Sequence, residues 1–283
     1  MTARAGRIHA AMKLGVYLRN MGPVSTREQI VECARAADRS GIDDLWVVDH
    51  IAIPPDDAEG SGGRYLDPLA TLAFLAGVTE RVALGVGVLV LPYRPPLPTA
   101  KWIATVQELA AGRLLLGVGV GWMAAEFRAL GLDRRRRGRD ADATLDFILR
   151  CFEADEVELN GQRFLFRPRP VRPPLFVGGS APHATARAAR VGAGWMPMGG
   201  DPAALSASIA DFRSMSADAG HPAPEVAVVT ALNLQDPVAA ADSTARLRDA
   251  GVTRLVHGFR YTQPSEFQRA CETLAGPVRS ALG

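Results

Sequence analysis

Short, β-branched apolar runs alternate with longer segments of helical periodicity along nearly the whole chain. Eight runs predict strands: MKLGVYL from Met12, DDLWVVD from Asp43, ALGVGVLVL from Ala83, LLLGVGVGW from Leu114, PLFVGG from Pro174, GWMPMG from Gly194, VAVVTALN from Val226 and RLVHGF from Arg254. They are almost continuously apolar and do not alternate, the pattern of strands buried on both faces in a parallel sheet covered by helices. The intervening segments carry helix start and stop signals. Ser25 with Glu28 reads as a capping box, and Gly41 ends that helix. Asp67-Pro68, Asp201-Pro202 and Asp236-Pro237 each offer an N-cap followed by proline in the first turn. Eight β/α units in 283 residues match a (β/α)8 TIM barrel, whose usual size is about 250 residues. A doubly wound open sheet is the alternative.

The rhythm breaks after Trp122, where a helical stretch, the run DRRRRGRD, a second helix and VELNGQRFLF intervene. Asn160-Gly161 between apolar positions signals a hairpin. The segment reads as an excursion between strands four and five, within a single domain spanning residues 12–283. Residues 1–11 precede the first strand without the apolar h-region of a secretory signal and read as a disordered tail or an over-extended start.

Composition narrows the function. Hydrophobic residues make up 48%, enough for a large core. Lys+Arg is 32 against Asp+Glu 30, a balance of +2 that offers no electrostatic case for a nucleic-acid partner. No run approaches the roughly 18 apolar residues of a membrane helix. Cys33, Cys151 and Cys271 lie far apart in helical segments, so no disulfide framework or metal-ligand spacing is visible. These features fit a cytoplasmic protein without a membrane partner.

In a parallel barrel the ligand-facing residues gather at the C-terminal ends of the strands. The apolar run LWVV ends there in Asp49 and His50. These residues either cap the following turn or face a ligand. Gly85 and Gly87 in strand three, and Gly117, Gly119 and Gly121 in strand four, weaken strand interiors. They point either to close packing of small residues or to room for a flat ring. Gly-x-Gly-x-Gly here lies within a strand, so it fails the context of a dinucleotide loop. Gly178, Gly179 and Ser180 close strand five before a helix beginning near Pro182, where backbone N–H groups and a hydroxyl suit a phosphate or form an ordinary tight turn. The arginines from Arg134 to Arg139 form a solvated face or reach an acidic ligand tail. Metal hydrolysis, a serine-nucleophile elbow and a P-loop all lack their motifs.

Taken in order, LWVVDH, LGVGVLVLPYRPP…AKWIATVQELAAGRLLLGVGVGW and FVGGS…ARVGAGW resemble the luciferase-like monooxygenase superfamily from Met12 onward. Within it the chain most resembles the oxidoreductases that use the deazaflavin coenzyme F420. The resemblance implies a TIM barrel with a flavin or deazaflavin at its C-terminal mouth. His50 then matches the active-site histidine, and Asp49 its neighbour, tuning that imidazole or bonding the ring's polar edge. Gly87-Val88 matches a non-prolyl cis peptide behind the ring; Gly119 and Trp122 line the same site, and Gly178, Gly179 and Ser180 its phosphate side. Trp122 stands where the family's sugar-phosphate dehydrogenases carry an acidic residue. With Val90 and Val120 it implies an apolar pocket unsuited to a phosphorylated sugar. The expected activity is hydride exchange between F420 and a small organic substrate, with His50 as general acid or base. The alternatives are an FMN-dependent monooxygenase served by a separate reductase, and a non-catalytic flavin-binding barrel. The resemblance also implies a homodimer.

Overall fold

The computed structural model describes residues 11–58 and 60–282; the expected tail over 1–11 falls almost wholly outside them. All eight expected strands form. They are β1 (Lys13–Tyr17), β2 (Asp44–Val47), β3 (Ala83–Val90), β4 (Leu114–Gly119), β7 (Leu175–Gly178), β8 (Gly194–Met196), β9 (Ala227–Thr230) and β10 (Arg254–His257). Each pairs in parallel with its neighbour in the order β8-β7-β4-β3-β2-β1-β10-β9. Isolated parallel bridges Trp195–Val226 and Met198–Val229 join the two ends. Trp195 N donates to the Glu225 carbonyl at 3.0 Å and Val229 N to that of Pro197 at 3.1 Å. The sheet therefore closes into a TIM barrel. The doubly wound alternative fails because strand order never reverses.

The helices are α1 (Arg27–Ser40), α2 (Pro68–Ala76), α3 (Pro96–Leu109), α4 (Ala124–Ala129), α5 (Arg137–Glu153), α6 (His183–Arg190), α7 (Pro202–Asp218), α8 (Pro237–Asp249) and α9 (Pro264–Thr273). Asp67, Asp201 and Asp236 cap α2, α7 and α8 as expected, each accepting a backbone N–H three residues on. Gly41 ends α1 at φ 81°. One cap differs from the sequence reading. The buried Ser25 hydroxyl bonds inward to the Gly22 carbonyl at 2.7 Å and accepts from Arg64 Nε at 2.9 Å. Thr26 takes the capping role instead, with Gln29 N at 3.4 Å.

The excursion forms as expected. α4 and α5 lead into the antiparallel pair β5 (Glu156–Leu159) and β6 (Gln162–Leu165). Asn160 and Gly161 turn it with φ 53° and 77°, the left-handed pair that a tight hairpin requires. The side chains of Arg134, Arg135 and Arg136 are exposed there.

Two apolar layers hold the barrel. One lies between strands and helices; the other fills the interior around Trp46, Phe176, Met196 and Val256. Trp46 and Phe176 meet edge to face at 5.9 Å between centroids. The interior is thus a packed plug, and a ligand is confined to the mouth above it. Among the described residues no helix is long and apolar enough to cross a membrane. Cys33, Cys151 and Cys271 are buried, and burial pushes each thiol upward, as suits packing residues.

Candidate active site

Just beyond β2, Asp49 and His50 face different partners. The Asp49 carboxylate is buried and bidentate with Arg94, Nη1 to Oδ2 at 2.7 Å and Nη2 to Oδ1 at 2.8 Å. It also accepts the Val90 N–H at 2.8 Å. Arg94 Nη2 reaches Asp67 Oδ2 at 2.9 Å, so the α2 cap belongs to the same cluster. These bonds tie the tip of β2 to the turn after β3. The carboxylate partner of the imidazole is accordingly not Asp49, whose oxygens are taken by Arg94 and the Val90 N–H.

That partner is Glu126, in the first turn of α4, which sequence reading passed over. His50 Nδ1 lies 3.0 Å from Glu126 Oε2, and the Tyr93 hydroxyl donates to the same oxygen at 2.9 Å. Oε1 accepts the N–H groups of Ile51 at 2.6 Å and Ala52 at 3.1 Å. Burial would raise the Glu126 carboxyl. The hydrogen bonds from His50, Ile51 and Ala52 outweigh it and hold the group below the ordinary carboxylate range. Burial, reinforced by Glu126, pushes the Tyr93 phenol well above its ordinary value, so it remains a donor. The neighbouring Phe127 anchors Glu126 in place. It is 1% exposed and packs edge-on against Tyr93 at 5.2 Å. Gly121, at φ 77°, permits the turn between β4 and α4.

The His50 side chain keeps 20% of its surface exposed. It stands edge-on to Tyr65 at 5.0 Å and to Trp122 at 6.1 Å. Trp122 is itself 66% exposed, an indole open to the mouth beside the imidazole.

The Gly87-Val88 peptide is cis, as the resemblance implied. The register between β3 and β4 shifts between Val86 and Leu89, so the two residues form a bulge. The Tyr17 hydroxyl donates to the Gly87 carbonyl at 2.6 Å, and burial pushes that phenol far up. Gly117 and Gly119 of β4 and Gly178 of β7 pack against this bulge. A Cβ on Gly119 would meet Val88 Cγ2 at 2.5 Å, and one on Gly178 would meet Val88 Cγ1 at 2.6 Å. One on Gly117 would strike the Val86 carbonyl. Gly87 and Val88 remain partly exposed and form the floor of the mouth.

Gly178, Gly179 and Ser180 lie at the same end of the barrel, separated from His50's strand by β3 and β4. Gly179 adopts φ 126°, and its carbonyl accepts the Trp195 indole N–H at 2.8 Å. Ser180 is exposed, with its carbonyl starting the turn into α6 through Ala184 N at 3.1 Å. No cluster able to hold a metal ion occurs among the described residues.

His257, the last residue of β10, is 2% exposed and accepts the Leu232 N–H at Nδ1, 3.0 Å away. Burial pushes its pKa down to about 4 from the ordinary 6.5, with only partial opposition from the Thr230 carbonyl. The unfolded chain takes up this proton below the ordinary value while the fold resists it. Stability is therefore full above pH 6.5 and falls as pH drops toward 4, by about 3 kcal/mol. Urea unfolding of a His257→Asn variant is expected to lose this part of the acid sensitivity. An unchanged pH dependence would show that another group carries it.

The family model for the luciferase-like monooxygenases matches residues 11–280. The chain belongs to that family, and is an oxidoreductase or monooxygenase of its kind. An F420-dependent hydroxymycolic acid dehydrogenase of Mycobacterium tuberculosis is 29% identical over 282 residues, covering 93% of this chain and 74% of that protein. An FMNH2-dependent dimethylsulfone monooxygenase of Pseudomonas putida is 27% identical over 205 residues, covering 62% of this chain and 56% of that protein. In fold, the chain is similar to an F420-dependent secondary alcohol dehydrogenase in complex with an F420–acetone adduct. The TM-score is 0.82 at 16% identity, covering 97% of this chain and all of the other.

Proposed function

We propose that the protein is an F420-dependent oxidoreductase that exchanges a hydride between the deazaflavin and a small organic substrate, with His50 carrying the accompanying proton. The observation that carries this reading is the His50–Glu126 pair held beside the Gly87-Val88 bulge at the barrel mouth. The bulge offers a floor of backbone and Val88 methyl groups on which a flat ring can rest. Gly178, Gly179 and Ser180 offer peptide groups and a hydroxyl on the far side, where a phosphate fits. The residues present thus suit a flat ring with a phosphate-bearing tail. When bound, F420 supplies the hydride chemistry. His50 holds or releases a proton at Nε2, Glu126 orients it, and the Trp122 indole shields that side of the mouth from water. The exposed Trp122 indole favours an apolar substrate over a sugar phosphate, whereas Val90 is buried against Tyr93 and Phe127 and does not line the mouth.

F420 is favoured over FMN because the F420-dependent relative aligns with 93% of this chain, against 62% for the FMNH2-dependent one. The FMN reading is a monooxygenase served by a separate reductase. Anaerobic titration of the purified protein with F420, and separately with FMN, followed by fluorescence quenching, decides between them. Selective tight binding of F420 is the expected result. Selective binding of FMN would overturn it in favour of the monooxygenase, and binding of neither would refute both.

A further inference from the structure

We infer that Glu126 is a positioning residue that holds His50 in the tautomer with its proton on Nδ1, so that the Nε2 lone pair is the one available to substrate. The argument is a hydrogen-bond count. The Glu126 carboxylate has four partners: His50 Nδ1 at 3.0 Å, the Tyr93 hydroxyl at 2.9 Å, Ile51 N at 2.6 Å and Ala52 N at 3.1 Å. An ionised carboxylate only accepts, so every partner must donate to it. Two of the four are peptide N–H groups, and the Tyr93 hydroxyl can turn its proton toward the carboxylate. The imidazole nitrogen can comply only by carrying its proton. Once Nδ1 is protonated, the neutral ring has its lone pair on Nε2.

The surroundings make this arrangement rigid. The Glu126 side chain is 1% exposed, so water does not compete for its oxygens. The same carboxylate secures the two residues after His50, fixing the backbone from which the ring projects. Tyr65 and Trp122 flank the ring edge-on, at 5.0 Å and 6.1 Å. Among the described residues no hydrogen bond engages Nε2. Glu126 thus does for this histidine what a buried carboxylate does for a general-base histidine elsewhere: it sets which nitrogen is basic.

Glu126→Gln separates this role from simple support. The glutamine carbonyl oxygen can still accept from Ile51 and Ala52, preserving the loop. Its amide nitrogen would then face Nδ1 and Tyr93, and an amide N–H donates. Nδ1 must become the acceptor, which moves the ring proton to Nε2 and removes the base.

The kinetic consequence rests on the proposed function, whereas the tautomer is read without cofactor. Long-range 1H–15N spectra of ligand-free, [15N]histidine-labelled protein, at a pH where the imidazoles are neutral, report the tautomer directly. A His50→Gln spectrum assigns the signal. In the wild type, His50 is expected with Nδ1 protonated and Nε2 bare, and in Glu126→Gln with the two exchanged. A bare Nδ1 in the wild type overturns the inference whether or not the variant folds, as does a variant that folds with its tautomer unchanged. In turnover with F420, Glu126→Gln is expected to lower kcat by about 10²-fold with KM and cofactor Kd within about twofold. A loss confined to KM overturns the positioning role. Absence of F420 binding refutes the proposed function instead, and the spectra still decide the tautomer.

Discussion

Replacing His50 with alanine is expected to lower kcat of the proposed F420-dependent reaction by on the order of 10³-fold, with cofactor Kd changed no more than about twofold. Among the described residues the imidazole's one hydrogen bond is to Glu126, and its side chain is one-fifth exposed, so its removal is expected to leave the barrel intact. Its Nε2 has no hydrogen-bond partner among the described residues, and the proposed reaction takes up or delivers a substrate proton there. The ring of a bound cofactor would rest mainly on Gly87, Val88 and the β7–α6 turn, which this substitution does not touch. Stopped-flow turnover paired with fluorescence titration separates the two effects. Parallel losses in kcat and in cofactor affinity would mean that His50 holds the ring and does not move a proton. Unaltered turnover would favour a non-catalytic barrel.

Asp49→Ala is expected to act on the fold, lowering the free energy of unfolding by about 3–5 kcal/mol. Arg94 is nearly buried, and its bidentate partner would vanish, leaving Asp67 as its carboxylate contact. The Val90 N–H would lose its acceptor as well. A nearly buried guanidinium left with only the partly exposed Asp67 carboxylate is the main cost. Asp49→Ala combined with Arg94→Met should therefore recover part of the loss, because the stranded charge is gone. Urea unfolding midpoints of the three proteins test this. A normal midpoint in Asp49→Ala together with weak cofactor binding would restore Asp49 to the ring's polar edge, the role that family resemblance implied for it.

The contrast between Asp49 and Glu126 shows where sequence reading stopped. Both are carboxylates just after barrel strands, and the rule that marked His50 at the tip of β2 applies equally to the tip of β4. Glu126 went unmarked because an acidic residue in the first turn of a helix ordinarily serves the helix dipole. Its purpose depends on His50, 76 residues away, and Tyr93, 33 residues away. Arg94, 45 residues from Asp49, went unassigned for the same reason. Ser25 is not the cap because its hydroxyl oxygen accepts from Arg64 Nε while its proton goes to the Gly22 carbonyl, partners visible only once the loop is folded.

By itself the sequence determined the barrel. Its strands are continuous apolar runs, its helices carry their own caps, and the Asn160-Gly161 turn needs no distant partner, so each element was legible from local chemistry. It also determined that His50 stands at a strand tip and that glycines crowd β3 and β4. The tertiary structure alone decided which carboxylate meets the imidazole, and that Gly119 and, from β7, Gly178 make room for Val88. Elements form from interactions a few residues long. A site forms from side chains that meet only when closure of the barrel brings separate strand tips to one rim, and hydrogen-bond partnership depends on distances of about 3 Å that no local pattern encodes.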